Sequence, residues 1–223
     1  MKNLNEILKH PSTTLVVGDT GEGKTVVAAS AMEWFNEQGI YVYMMDKQKQ
    51  YPKWVHNLSS NKIEMKEQNS VLCIDDAHNY FYAGMEEDRE DLKALDLINR
   101  ARRHGGKRSI IYTTQQSTVL SRKLIGMTTF LIFKKSSPMQ IEFERPEFQP
   151  LFIRANEALK DQSIDKGYVV STNYEGLIEI EMPKWFTDEL SGAPEHYQQG
   201  KGEKGGIFKA VTGAISGIGS VFG

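Results

Sequence analysis

Gly18-Asp19-Thr20-Gly21-Glu22-Gly23-Lys24-Thr25 is the stretch on which the reading of this 223-residue chain turns. An apolar, β-branched run, Thr14 to Val17, leads into it, and an alanine-rich stretch, Lys24 to Gln38, leads out. Strand, glycine turn and helix therefore follow one another where a phosphate-binding loop requires them. Glycines let the backbone curl until successive N–H groups point inward, and the start of the helix adds partial positive charge. The residues from Gly18 to Thr25 are expected to cradle ATP, with Lys24 reaching the terminal phosphates and the Thr25 hydroxyl ligating Mg2+. A chance glycine turn ahead of a helix is the bland alternative, and the agreement of motif and context outweighs it. On its own the loop fixes only the class of ligand, because kinases and switch GTPases carry it too.

Downstream, Ile40 to Met45 reads as a second strand closed by Asp46, followed by a polar and aromatic loop over residues 47–69. Val71 to Ile74 is a third apolar strand, ending in the pair Asp75 and Asp76. Asp75 is expected to hold the metal through water, and Asp76 stands where an ATPase needs a group to polarise the attacking water. The competing reading makes the pair a helix N-cap for the turn at Ala77 and His78. Leu92, Leu95, Leu97, Ile98 and Ala101 recur at roughly helical spacing within Glu86 to Arg103, and Gly105 and Gly106 stop that helix. Ser109 to Thr114 is a fourth strand with a polar tip ending at Gln115. Either a Thr or Gln side chain there reaches the terminal phosphate, or the tip is a strand cap without chemistry.

Phe130 to Lys134 is a fifth strand. Strands alternating with helices give an α/β fold with a mainly parallel sheet covered on both faces. Residues 151–161 read as a helix, and Gly167 to Met182 as an edge hairpin around the turn Asn173 to Gly176. The chain becomes rich in Gly, Pro and Gln from Ser191, which divides it into one domain over residues 1–190 and a linker and apolar tail over 191–223.

Bulk composition narrows the possibilities. A formal net charge of -2 gives no general attraction to nucleic acid or anionic membrane, so any DNA contact must come from a local patch or from a ring of subunits. Cys73 is the one cysteine and sits inside an apolar strand, as a buried thiol does. Met1 to Pro11 carries two lysines and no apolar core, unlike a signal peptide, and no run of 18 apolar residues exists. His78, His104 and Cys73 lack zinc-ligand spacing.

Arg100, Arg102, Arg103, Lys107 and Arg108 crowd the end of the predicted helix and the turn after it. Cations at a helix C-terminus complement its dipole, and the excess leaves two roles open: an arginine finger aimed at a neighbouring subunit's nucleotide, or contact with DNA phosphates. In the tail, Ile207, Phe208, Val211, Ile215, Ile218 and Phe222 recur at three- and four-residue steps between glycines. Residues 205–223 are either an amphipathic helix that docks on a membrane or capsid, or a disordered tail.

Taken in order, Gly18 to Thr25, Ile-Asp-Asp-Ala-His-Asn ending at Asn79, Asn-Arg-Ala-Arg-Arg-His-Gly ending at Gly105, and Tyr-Thr-Thr-Gln ending at Gln115 resemble the FtsK-HerA superfamily of DNA-pumping P-loop ATPases. The short chain is similar to the genome-packaging ATPases of membrane-containing, tailless icosahedral double-stranded DNA viruses. The resemblance spans about residues 12 to 135. It implies a RecA-like core, a homo-oligomeric ring such as a hexamer, and sequence-nonspecific translocation of double-stranded DNA, here a viral genome entering a capsid. It further implies a place in the host cytoplasm or on the virion. By resemblance Gln115 matches the family's glutamine sensor, and Arg102 or Arg103 its trans-acting arginine. Lys24, Asp76, Gln115, Arg102 and Arg103 form the expected catalytic set, with Thr25 and Asp75 on the metal. Asp76 departs from the commoner glutamate. Three other readings compete: a conjugation or phage-assembly motor, usually membrane-anchored; a nucleotide-gated docking module; and a small-molecule kinase, for which no lid or acceptor pocket is visible.

Overall fold

The computed structural model describes residues 1–45, 51–58, 63, 65–83, 93 and 107–187. Strands β1 (Lys2–Asn3), β2 (Thr13–Val17), β3 (Tyr41–Met45), β4 (Val55–Asn57), β5 (Ser70–Ile74), β6 (Arg108–Thr114), β7 (Phe130–Phe133), β8 (Lys166–Ser171) and β9 (Glu175–Glu179) form a single sheet in the order β1-β9-β8-β7-β2-β6-β5-β3-β4. From β7 to β4 every neighbouring pair is parallel. All the residues of β2, β5 and β7 are buried, as expected of parallel strands covered on both faces, which read as continuous apolar runs.

Helices α1 (Leu4–Ile7), α2 (Lys24–Glu37), α3 (Arg122–Gly126), α4 (Pro138–Glu142) and α5 (Gln149–Leu159) supply the cover. The small side chains of Ala28, Ala29 and Ala31, all buried, let α2 lie close on β2, β3, β5 and β6. A core of Leu15, Val17, Tyr112 and Phe133 from the sheet with Phe81, Leu120, Leu124 and Phe152 contains no residue of α2. Alternate side chains of one strand point to opposite faces, so this core is the other layer. Phe133 and Phe152 meet edge to face at 4.8 Å and fix α5 to it.

The expected hairpin forms as β8–β9 and pairs antiparallel with β7, beside the parallel core. It is not the outermost element, because the two-residue strand β1 pairs parallel with β9. Strand β4, also unforeseen, extends the other edge beside β3. Both are too short to show a two-residue period in the sequence. Asp46, the helix expected within Glu86 to Arg103 apart from Lys93, Gly105 and Gly106, and the tail beyond Ser191 lie outside the described residues.

Candidate functional site

Strand β6 lies between β2, which feeds the glycine loop, and β5, which ends in the acidic pair. Two strand spacings therefore separate loop from carboxylates, about 10 Å, and the tip of β6 fills the gap. The loop is held by steric fit as well as by hydrogen bonds. Gly18 has φ +154 and lies so close to the start of the segment after β7 that a Cβ on it would stand 2.6 Å from Lys134 Cβ. Gly23, the residue before α2, has φ +83, a left-handed conformation that a side chain disfavours. Asp19 N–H donates to the Lys135 carbonyl at 2.9 Å, and Ser137 N–H donates to Asp19 Oδ2 at 2.8 Å.

Lys24 is buried and its ammonium group donates to the Asp19 carbonyl at 2.8 Å. Burial lowers its pKa, and the nearby carboxylates of Asp76, Asp75, Asp19 and Glu22 oppose that shift. A desolvated cation at the start of α2 has lost water that an anion can replace. The next residue crosses the gap: Thr25 donates its hydroxyl to Asp75 Oδ2 at 3.0 Å. Thr113, near the end of β6, donates to the other oxygen, Oδ1, at 2.5 Å. Both carboxylate oxygens of Asp75 are thus oriented by threonine hydroxyls from different elements.

Asp76 N–H donates to Thr113 Oγ1 at 2.9 Å, and Asp76 itself is left-handed, with φ 46 and ψ 54. The capping alternative for the pair can be judged here. Asp76 does precede a short turn, Ala77–Asn79, but its side chain makes no cap hydrogen bond to it. Asp76 is the one non-glycine residue with positive φ among the described residues. A conformation that costs an ordinary residue about 1 kcal/mol is milder for aspartate and turns the chain sharply after β5.

Other expected residues fall as follows. Gln115 directly follows β6 and is exposed, with its carbonyl accepting from the Gln140 side-chain amide. Thr114 turns its hydroxyl to the Gln116 carbonyl at 3.0 Å. Thr20 and Gly21 are exposed at the crest of the loop. Arg102 and Arg103 lie outside the described residues. Of the basic cluster, Lys107 and Arg108 are described: Lys107 is exposed and its carbonyl accepts the Ser70 N–H at 3.0 Å, while Arg108 begins β6 and donates to the Met65 carbonyl at 3.1 Å. It therefore stands at the far end of a seven-residue strand, about 20 Å from the tip at Thr114, and serves the sheet rather than the phosphate site of its own chain.

Sequence reasoning missed three features: the two hydrogen bonds of Thr113 to the acidic pair, the run Lys134 to Ser137 alongside the loop, and the segment after α4. Lys134 is buried, with its ammonium donating to the carbonyls of Ile164 and Lys166. Burial pushes its pKa down to about 8 despite the carboxylates of Glu22 and Asp165. The polar quartet Lys-Lys-Ser-Ser directly after an apolar strand was the available signal, but which strand lies beside β2 is not written in local sequence.

Thr25 and Asp75 offer adjacent hard oxygens, the donor set that suits Mg2+, which takes one or two protein oxygens and completes its shell with water and phosphate. Among the described residues no group of three or more His, Cys, Asp or Glu side chains could hold a metal ion alone, so a metal here would depend on the nucleotide.

A protein-family model described as Novel STAND NTPase 3 matches residues 1–144. Among solved structures, the genome packaging NTPase B204 from Sulfolobus turreted icosahedral virus 2, in complex with AMPPCP, superposes with a TM-score of 0.55 at 13% identity, covering 78% of this chain and 99% of that one. The DNA-packaging ATPase B204 from Sulfolobus turreted icosahedral virus gives 0.54 at 14% identity, over 78% of this chain and all of the other (100%). The pCW3 conjugation coupling protein TcpA, with ATPgS, gives 0.52 at 13% identity over 77% of this chain and 60% of its own. No curated protein matches the chain. At these identities the likeness is one of fold, and it bears out the RecA-like P-loop core, while the family model shows an NTPase.

Proposed function

The chain belongs to the Novel STAND NTPase 3 family, and from that premise we propose that this P-loop ATPase is a motor that moves double-stranded DNA, packaging a viral genome into a capsid. The observation that carries the reading is the Thr25–Asp75 contact at 3.0 Å, which joins the phosphate loop to a strand-end carboxylate across an intervening polar strand tip. A nucleotide-binding loop alone would serve a kinase equally well. The interposed β6, with Thr113 fixing the acidic pair and Gln115 just beyond, fits hydrolysis better.

In the cycle, backbone amides of the Gly18 to Thr25 loop, other than the Asp19 N–H held by Lys135, and the Lys24 ammonium hold the β- and γ-phosphates. Thr25 and Asp75 would hold Mg2+, which would neutralise charge on the phosphate oxygens. Asp76 accepts a proton from the attacking water as its oxygen bonds to the γ-phosphorus and the bond to ADP breaks, releasing phosphate. Gln115 reports whether the γ-phosphate is present. Arg102 or Arg103 reaches the nucleotide of the next subunit in a homo-oligomeric ring, taken as a hexamer, so turnover needs assembly.

Double-stranded DNA binds through its phosphates without sequence preference, and residues 205–223 dock the ring on a capsid or membrane surface, in the host cytoplasm or on the virion. The fold shared with two viral packaging ATPases over nearly their whole length supports packaging; the likeness to a conjugation coupling protein, 60% of whose length is covered, supports the second reading, a conjugation motor of the same kind.

The decisive experiment measures ATP turnover with and without double-stranded DNA, alongside native mass. A multimer stimulated severalfold by DNA is expected. Turnover from a monomer indifferent to DNA would remove the motor reading while leaving the ATPase in place.

A further inference from the structure

Two buried polar side chains of the segment Gln140 to Glu144 have no part in the hydrolytic scheme. Gln140 donates from its side-chain amide to the carbonyl of Gln115. Glu144, 3% exposed, accepts the Ser117 N–H at 2.9 Å on one oxygen and 3.1 Å on the other, and the Ser117 hydroxyl as well. Arg145 completes the set, donating to the Leu120 carbonyl at 2.9 Å. The backbone that places Gln115 is therefore held from α4 and the turn after it, where no strand can hold it.

The opposite end of α4 touches the phosphate loop. Ser137 caps the helix through its hydroxyl, which accepts from Gln140 N–H at 3.3 Å, while its own N–H donates to Asp19 Oδ2 at 2.8 Å. Asp19 also offers its carbonyl to the Lys24 ammonium at 2.8 Å. A single loop residue thus holds the phosphate-binding lysine with its main chain and the start of α4 with its side chain. Phosphate bound at Lys24 competes for that ammonium, and Asp19 is the residue that registers the change.

The segment beyond Gln115 is tethered on its other side too. Ala83 N–H donates to the Val119 carbonyl at 2.7 Å and Ser121 N–H to the Phe81 carbonyl at 3.0 Å. Phe81 to Ala83 is the stretch of chain leaving the acidic pair.

We propose that α4 is a crossbar between the phosphate loop and the γ-phosphate sensor, with Ser137 its connection to Asp19 and with Glu144 and Gln140 positioning residues for Gln115. The proposal rests on the ATPase reading above and adds a route by which occupancy at Lys24 reaches the sensor. At the Gln140 and Glu144 end the bonded groups are buried, so separating them strands polar atoms without partners; the Ser137–Asp19 bond at the other end is exposed and is the one that yields first.

Substitutions at the two ends test it. Ser137 has φ -67, which proline adopts readily. Ser137→Pro deletes the N–H that reaches Asp19, whereas Ser137→Ala removes only the hydroxyl cap. Glu144→Ala releases Ser117, and Glu144→Gln keeps one accepting oxygen. The expected result in the assembled, DNA-stimulated protein is a fall in kcat of tenfold or more for Ser137→Pro and for Glu144→Ala, with KM for ATP within threefold of the parent. Ser137→Ala and Glu144→Gln should be milder than their partners, and the Ser137→Pro/Glu144→Ala double variant no slower than the worse single, because one route is cut twice.

Losses that multiply in the double variant, or a Glu144→Ala enzyme with unchanged kcat, would overturn the crossbar. If Glu144→Ala does not fold, Glu144→Gln combined with Ser137→Pro supplies the same comparison. A parent protein with no turnover at all would instead sink the ATPase reading, so the two failures are distinguishable.

Discussion

Thr113 Oγ1 lies 2.5 Å from Asp75 Oδ1 and at the same time accepts the Asp76 N–H at 2.9 Å, so one hydroxyl on β6 sets the orientation of both acidic residues at the end of β5. The arrangement answers a geometric need. Asp75 must present an oxygen to a metal beside Thr25 while the chain turns immediately afterward through a left-handed residue. A single anchor from the neighbouring strand holds the carboxylate rotamer and the turn together.

Thr113→Val keeps the shape of the side chain and removes both bonds. Residues that orient metal ligands affect affinity or activity by about 10- to 100-fold when replaced, and a loss of that size is expected here. A titration of ATP turnover with Mg2+ should show a raised half-saturation concentration, with Lys24-dependent nucleotide binding retained. An unchanged Mg2+ dependence would mean that Asp75 holds its orientation without Thr113.

Asp76→Asn separates binding from chemistry. The amide preserves the N–H bond to Thr113 and the local turn, for which Asn is as well suited as Asp, but it cannot take a proton. ATP affinity should stay within a few fold, and turnover should fall by about 10²- to 10⁴-fold, the usual worth of a general base. Mixing these subunits with Arg102→Ala or Arg103→Ala subunits should restore part of the activity if the arginine acts across an interface. No recovery at any mixing ratio would count against a shared site.

Much of this site is legible in the sequence, and the division has a physical basis. Gly18 to Thr25 and the strand-end pair Asp75 and Asp76 are local patterns, in which adjacent residues do the work, and they can be read without knowing the neighbours. Thr113, Lys134 and Glu144 act through contacts with residues 27 or more positions away in the chain: Asp75, Ile164 and Lys166, and Ser117. Strand order creates those contacts, and no spacing within β6 or β7 announces it. The same reasoning explains β1 and β4: strands of two and three residues are defined by the partner they join.

Gly18→Ala tests the fit between the loop and the chain after β7. The added Cβ would meet the Cβ of Lys134 at 2.6 Å and its backbone at 3.1 Å, at a φ that side chains rarely adopt. Lys134 cannot retreat, because its N–H donates to the Val17 carbonyl at 2.8 Å and its ammonium is fixed to β8. Overpacking of a rigid site costs about 1–3 kcal/mol, and backbone strain adds a similar amount. Chemical denaturation should show a loss of at least that lower figure together with weakened ATP binding; a variant as stable as the parent and binding ATP normally would mean that the loop has slack that these distances deny.

Lys134→Met probes a cation buried for structural reasons, and its signature is a slope with pH. Burial pushes the folded-state pKa down to about 8 from the ordinary 10.5. Between those values the unfolded chain binds the proton and the folded chain does not, so stability rises with pH through that window. Below about pH 8 the charged form is kept at a cost of about 3 kcal/mol relative to a solvated lysine. Replacing it with methionine removes that cost but strands the carbonyls of Ile164 and Lys166, at about 1–3 kcal/mol each, so the two effects nearly offset each other at neutral pH and a single stability value there decides little. The difference in unfolding free energy, parent minus variant, should instead grow by about 2 kcal/mol on going from pH 7 to about pH 9.5. A difference that stays flat over that range would place the ammonium in contact with solvent, and the rigid backing it is argued to give Gly18 would be lost with it.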